Sequence, residues 1–137
     1  MKKQRICIVG DGLSGLMCAI SLYNLQNLEV HLIARKNILK NDNRTTAISS
    51  SNFKFFQDIM GKFNRQLFWP SKKINLFYET SDQKINFLSF NEGKNNLMYV
   101  FENNKIKDAL YKEVKKKKIK IIHKNIIKIS DLDDYDL

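Results

Sequence analysis

Near the start of the chain the string "IVGDGLSGL", residues 8 to 16, spaces Gly10, Gly12 and Gly15 as GxGxxG. The string lies between a short apolar run and a longer amphipathic one, so it reads as a turn from a strand into a helix, the context in which this spacing is informative. Each glycine then has its own task. The first permits a tight turn, the second lets main chain approach a pyrophosphate, and the third lets the helix pack on the strand. The start of the helix turns N–H groups and partial positive charge toward those phosphates. Leu13 and Ser14 lie within the turn without blocking it and are assigned to the dinucleotide with the glycines. Asp11 is tolerated beside a pyrophosphate if its side chain points to solvent.

The elements that must carry this turn follow from periodicity. Gln4 to Val9 reads as a buried strand, and Leu13 to Leu25 repeats apolar residues at helical spacing through Leu16, Met17, Ile20 and Leu22. Leu28 to Ile33 is a second strand rich in branched residues. Strand, glycine turn, helix and strand make the first half of a right-handed βαβ unit, which predicts an α/β, Rossmann-like fold with a parallel sheet. The usual partner of the turn is an acidic residue at the end of the second strand, hydrogen-bonded to a ribose. Ala34 stands in that place. Glu29 is at the wrong end of the strand and Asp42 is in the following loop, so either could substitute only through an unusual backbone path. His31 and His123 fall in strands without a ligand-spaced partner and read as structural.

Further along, residues 35 to 46 are polar and without periodicity. Ser50 to Met60 reads as a helix with Phe53, Phe56, Ile59 and Met60 on one side, stopped by Gly61, and Pro70 closes the aromatic patch Leu67-Phe68-Trp69. Lys73 to Thr80 and Lys84 to Phe90 read as a hairpin joined by Ser81-Asp82-Gln83, and Leu97 to Phe101 as another strand. A helix is predicted from Asn103 to about Lys116, then one or two strands between Lys118 and Ile129.

Composition bounds the rest. The chain has 137 residues, 43% hydrophobic and 28% charged, enough for one domain or part of one. Cys7 and Cys18 form no CxxC pair and have no clustered His, which predicts reduced thiols in the cytoplasm, neither disulfide nor zinc site. The basic opening Met1 to Arg5 resembles a signal-peptide start, but the apolar run after it stops at Gly10, and no stretch approaches the roughly 18 apolar residues of a membrane span. Net charge is +10, densest from Lys112 to Lys120. With no interleaved aromatics for base stacking, that run reads as a solvated helix end and no nucleic-acid partner is expected.

Two longer strings carry a resemblance to a known family. "DNRTTAISSSNFKFFQDIMG", residues 42 to 61, resembles the Asp-x-Arg-x-x-Ala-[Leu/Ile]-Ser segment and following helix of the ubiquinone-biosynthesis ring hydroxylases, FAD-dependent aromatic monooxygenases related to para-hydroxybenzoate hydroxylase. "YVFENNKIKDAL", residues 99 to 110, resembles that family's Val-[Val/Leu]-x-Asn-x-x-Leu-x-x-Ala-Leu segment at a similar distance. The resemblance implies that Gly10, Gly12 and Gly15 hold the FAD pyrophosphate, that Arg44 lies on the flavin side, and that Asn103 lies near the flavin, with a helix N-cap as its alternative role. Arg35 joins Leu13 and Ser14 in the implied cofactor set. Residues 71 to 101 would be strands inserted from an incomplete substrate-binding region, and residues 1 to 137 the N-terminal part of an FAD-binding domain.

The same resemblance implies NAD(P)H as electron donor and a ubiquinone-precursor ring as substrate in a complete enzyme. The chain ends "SDLDDYDL", where the family continues into Asp-Gly and Gly-Asp motifs, so an N-terminal fragment, split or truncated, is expected, not competent alone. No residue stands out as a catalytic acid or base. A cytoplasmic location, with weak attraction to the inner membrane surface, accompanies this reading. The alternatives are an NAD(P)-binding oxidoreductase domain and a non-enzymatic basic module on a membrane surface or nucleic acid.

Overall fold

The computed structural model describes residues 3–35, 42–91, 93–125 and 128–136. Part of the polar stretch 35 to 46, the pair Ile126-Ile127 and Leu137 lie outside the described residues. The chain opens with β1 (Gln4–Val9), α1 (Leu13–Tyr23) and β2 (Leu28–Ala34), then β3 (Thr45–Ser49) and α2 (Ser50–Met60). After these come β4 (Trp69–Ser71), β5 (Lys73–Glu79), β6 (Lys84–Asn91), β7 (Met98–Glu102), α3 (Asn103–Lys116) and β8 (Lys120–His123). Two short 3₁₀ turns cover Arg65–Leu67 and Ile129–Leu132.

The first sheet is parallel, in the order β1-β2-β8, with Gln4 opposite Leu28, Val9 opposite Ile33 and Ala34 opposite His123. The expected α/β class with a parallel sheet is what forms. β2 is central and buried from Val30 to Ala34, with His31 the one polar residue in that run. Val30 and Leu32 join the core with the α1 face Leu16, Ala19 and Ile20 and the α3 face Ile106, Leu110 and Val114. On the other face His31 is buried, its Nδ1 3.0 Å from the Tyr135 hydroxyl and its Nε2 3.0 Å from Glu29 Oε1. That is the structural histidine the sequence predicts.

The second sheet is antiparallel, in the order β3-β7-β4. Its β3 was hidden in sequence because the strand alternates between exposed and half-buried positions and runs into α2 without a break. β4 was hidden by Pro70, which an edge strand accepts because one side needs no ladder donor. Phe53, Phe56, Phe63, Phe68, Tyr99 and Phe101 fill the space between α2 and this sheet; Phe53 stacks on Tyr99 at 3.7 Å and Phe68 meets Phe101 edge-on at 5.2 Å.

The predicted hairpin forms as a separate two-stranded sheet, β5-β6, closed by Thr80 N–H donating to the Gln83 carbonyl at 2.8 Å. α3 has the predicted bounds, and β8 is shorter than the span 118 to 129, which turns into 3₁₀ at Ile129. The helix ends in a Schellman turn: Ile119 N–H donates to the Val114 carbonyl and Lys118 N–H to that of Lys115. Lys117 departs from the predicted solvated face, because its Nζ reaches Asn24 Oδ1 at 3.0 Å and lies over the Tyr23 ring. Asp136 brackets Arg5 on the outer edge of β1, its N–H donating to the Arg5 carbonyl and its carboxylate accepting from Arg5 N–H. No helix among the described residues is long and apolar enough to cross a membrane.

Candidate functional site

The glycine turn joins the carboxyl end of β1 to α1. Gly10 has φ +112°, closed to most side chains, and its N–H donates to the Ile33 carbonyl at 2.8 Å, tying the turn to the end of β2. Gly12 caps α1, its carbonyl accepting from Leu16 N–H at 3.0 Å. A Cβ on Gly15 would stand 2.1 Å from the Gly10 carbonyl oxygen, so that position excludes every other residue; the strand side chain Ile8 is 3.7 Å away. The third glycine thus admits the turn's own carbonyl as well as the strand. A Cβ on Gly12 would meet nothing within 4 Å, so this side of the turn is open to an approaching group. Ser14 is exposed and Leu13 packs against the core, leaving main-chain N–H groups of the first helical turn at the opening.

Asp11 does not point freely to solvent. Its Oδ2 accepts a hydrogen bond from the Tyr111 hydroxyl and lies 3.3 Å from Lys107 Nζ, both on α3. Burial alone would raise its pKa, but the bonds from Tyr111 and Lys107 outweigh it and hold the carboxyl below its usual range. The Tyr111 phenol is pushed up by burial and by that same carboxylate, so it stays a donor. The one negative charge in the turn is therefore drawn onto α3 and offset by a cation.

Arg44 and Asn103 meet through Asp42. Arg44 Nε and Nη2 donate to the two Asp42 oxygens at 2.7 and 2.8 Å, and Asn103 Nδ2 donates to Asp42 Oδ2 at 3.0 Å. Asn103 Oδ1 accepts from the Thr46 hydroxyl at 2.6 Å, and Asn103 N–H donates to the Arg44 carbonyl. The Arg44 hydrogen bonds, followed by that from Asn103, hold the Asp42 carboxyl far below the usual carboxylate range. The N-cap alternative for Asn103 is corrected: the capping position is Glu102, without a side-chain cap, and the Asn103 carboxamide ties the segment 42–46 to the start of α3.

Asn103, Lys107 and Tyr111 recur every four residues along one face of α3, and the eight-residue span covers about 12 Å. One helix face thus links the Arg44 segment to the glycine turn. Arg35 is exposed immediately beyond β2, at the same carboxyl edge as the turn. Ala34 is buried at the expected ribose position, its carbonyl accepting from Lys124 N–H. Neither acidic neighbour replaces the missing carboxylate: Glu29 bonds His31 and Asp42 bonds Arg44. Sequence reasoning missed Lys107 and Tyr111. Their four-residue spacing from Asn103 marks a shared helix face, but nothing local marks Asp11 as its target.

The architecture matches solved structures along most of its length. FqzB matches 93% of this chain and 31% of its own, with TM-score 0.70 at 13% identity. The tetrameric form of 2-methyl-3-hydroxypyridine-5-carboxylic acid oxygenase matches 88% of this chain and 31% of its own, with TM-score 0.62 at 14% identity. CtdE, solved in complex with FAD, matches 89% of this chain and 30% of its own, with TM-score 0.60 at 15% identity. This chain shares their fold. It spans less than a third of the length of each. No protein-family model and no curated protein matches the sequence.

Proposed function

We propose that this chain is the N-terminal, FAD-binding portion of an aromatic-ring monooxygenase acting on ubiquinone precursors, with residues 71 to 101 as part of its substrate-covering region. The observation that carries the reading is the glycine turn: an approach open at Gly12, a main chain that requires Gly15, and an Asp11 carboxylate turned onto Lys107 and Tyr111. A turn so arranged suits a diphosphate, which needs N–H donors and the removal of nearby negative charge. The fold shared with CtdE, a protein solved with FAD, supports a flavin dinucleotide as the occupant.

In this proposal main-chain N–H groups of Leu13, Ser14 and Gly15 face the diphosphate, and Arg35 screens its charge from the end of β2. Asp42 grips Arg44 through Nε and Nη2, leaving the Nη1 edge of the guanidinium to face a phosphate or ribityl oxygen. Asn103 acts on that arginine by positioning its segment. Bound FAD supplies the redox chemistry, with NAD(P)H as donor in the complete enzyme; this chain supplies position and charge balance, and no acid or base.

Calorimetric titration of the purified chain with FAD and, separately, NAD⁺ tests the proposal. FAD should bind in preference, and Arg44→Ala should weaken it. Binding of NAD⁺ without FAD would transfer the chain to the nicotinamide-binding oxidoreductases. Retention on anionic vesicles or DNA in moderate salt, with neither nucleotide bound, would make it a basic binding module.

A further inference from the structure

The carboxyl end of β2 departs from what a plain adenosine ribose needs. A carboxylate at that place accepts a hydrogen bond from the ribose 2′-hydroxyl and repels a phosphate standing in its stead. Ala34 is buried there, one residue beyond Ile33, whose carbonyl accepts from Gly10 N–H of the glycine turn at 2.8 Å. Residues 35 to 41, Arg-Lys-Asn-Ile-Leu-Lys-Asn, hold three cations and no carboxylate, so nothing in that stretch restores the missing acid. The acids on either side are engaged elsewhere, Glu29 with His31 toward the start of the strand and Asp42 with Arg44 and Asn103. Around Ala34 the neighbours are basic. Arg35 follows it directly and is exposed. His123, also exposed, is its partner across the β2-β8 ladder and shares its face of the sheet. Lys124 N–H donates to the Ala34 carbonyl at 3.1 Å, while its Nζ donates to a neutral acceptor, the Asp131 carbonyl, at 3.1 Å. The Asp131 carboxylate accepts from Lys128 N–H at 3.1 Å.

We propose that the ribose end of this site favours an adenosine nucleotide carrying a 2′-phosphate over the same nucleotide without it, with Arg35 as the residue that contacts the phosphate and His123 and Lys124 beside it. The inference rests on the reading that the glycine turn holds the diphosphate of a dinucleotide. A guanidinium offers a phosphate two parallel N–H donors, a match that a ribose hydroxyl does not give. With alanine in place of the acid, the added charge meets no fixed carboxylate at that position. FAD has no such phosphate, so it is gripped by its diphosphate and flavin half while its adenosine ribose stays unheld.

Calorimetric titration of the full chain with ADP-ribose and with 2′-phospho-ADP-ribose, at roughly 50 mM salt, tests it. The phosphorylated ligand should bind about three- to tenfold tighter, the effect of one solvent-exposed charge-assisted contact. Because the two ligands differ by a single phosphate, any loss at the shared diphosphate cancels in their ratio. Arg35→Glu should bring that ratio to one or below. Lys115→Glu makes the same change of net charge in the last turn of α3 and should leave the ratio as it is, which separates a local contact from the general pull of a chain of net charge +10. A ratio lowered equally by both variants would overturn the inference. If FAD binds and the phosphorylated ligand has no advantage over ADP-ribose, this inference falls and the proposed function stands. If none of the three nucleotides binds, both fall.

Discussion

If the turn holds a diphosphate as proposed, Asp11 decides how well it does so, because a carboxylate beside a diphosphate is unfavourable unless something takes up its charge. Lys107 and Tyr111 do so from α3. Lys107→Met should therefore weaken FAD binding about three- to tenfold, and adding Asp11→Asn should recover most of the loss, a coupling that a double-mutant cycle by calorimetry reads directly. Additive losses would remove the clamp from the binding reaction. Asp42 makes a different, pH-dependent prediction. Its folded-state pKa is depressed, so its contribution is complete above the unfolded value of about 4 and is lost as pH falls through the folded value. Melting temperature followed from pH 7 down to pH 2 should fall more steeply below pH 4 in the parent chain than in Asp42→Asn.

At the scale of elements, local signals and their limits are both visible. α3 was legible from end to end because its apolar residues recur at helical spacing, and the βαβ opening because the glycines punctuate two apolar runs. β3 and β4 were not, since one has no fully buried residue and the other contains a proline; both exist by pairing with β7, a partner remote in sequence. The contacts that organise the candidate site were equally hidden, because Asp11 to Tyr111 and Thr46 to Asn103 join residues far apart in the chain. The end of α3 makes its own prediction. Lys118 has φ +56° in the position where glycine is usual, so Lys118→Gly should raise stability by about 1 kcal/mol in urea unfolding. An equal or lower midpoint would contradict that account of the helix end.

Across the whole molecule, α1, α3, β2 and the aromatic layer form one continuous core that holds the glycine turn and the Arg44 segment in fixed relation. Leu110 is fully buried in that core, and Leu110→Ala should cost about 2–5 kcal/mol, with nucleotide binding lost in proportion to the unfolded fraction. Among the described residues, Asp136 brackets the outer edge of β1 and the hairpin side chains are exposed. Fluorescence titration of FAD into the parent chain and into Gly12→Val, whose added Cβ would meet no protein atom within 4 Å, separates binding from folding. Saturable binding by the parent, with at least about a tenfold loss in a Gly12→Val variant of unchanged melting temperature, is the predicted result. Equal affinity in both, or no binding by the parent, would contradict it.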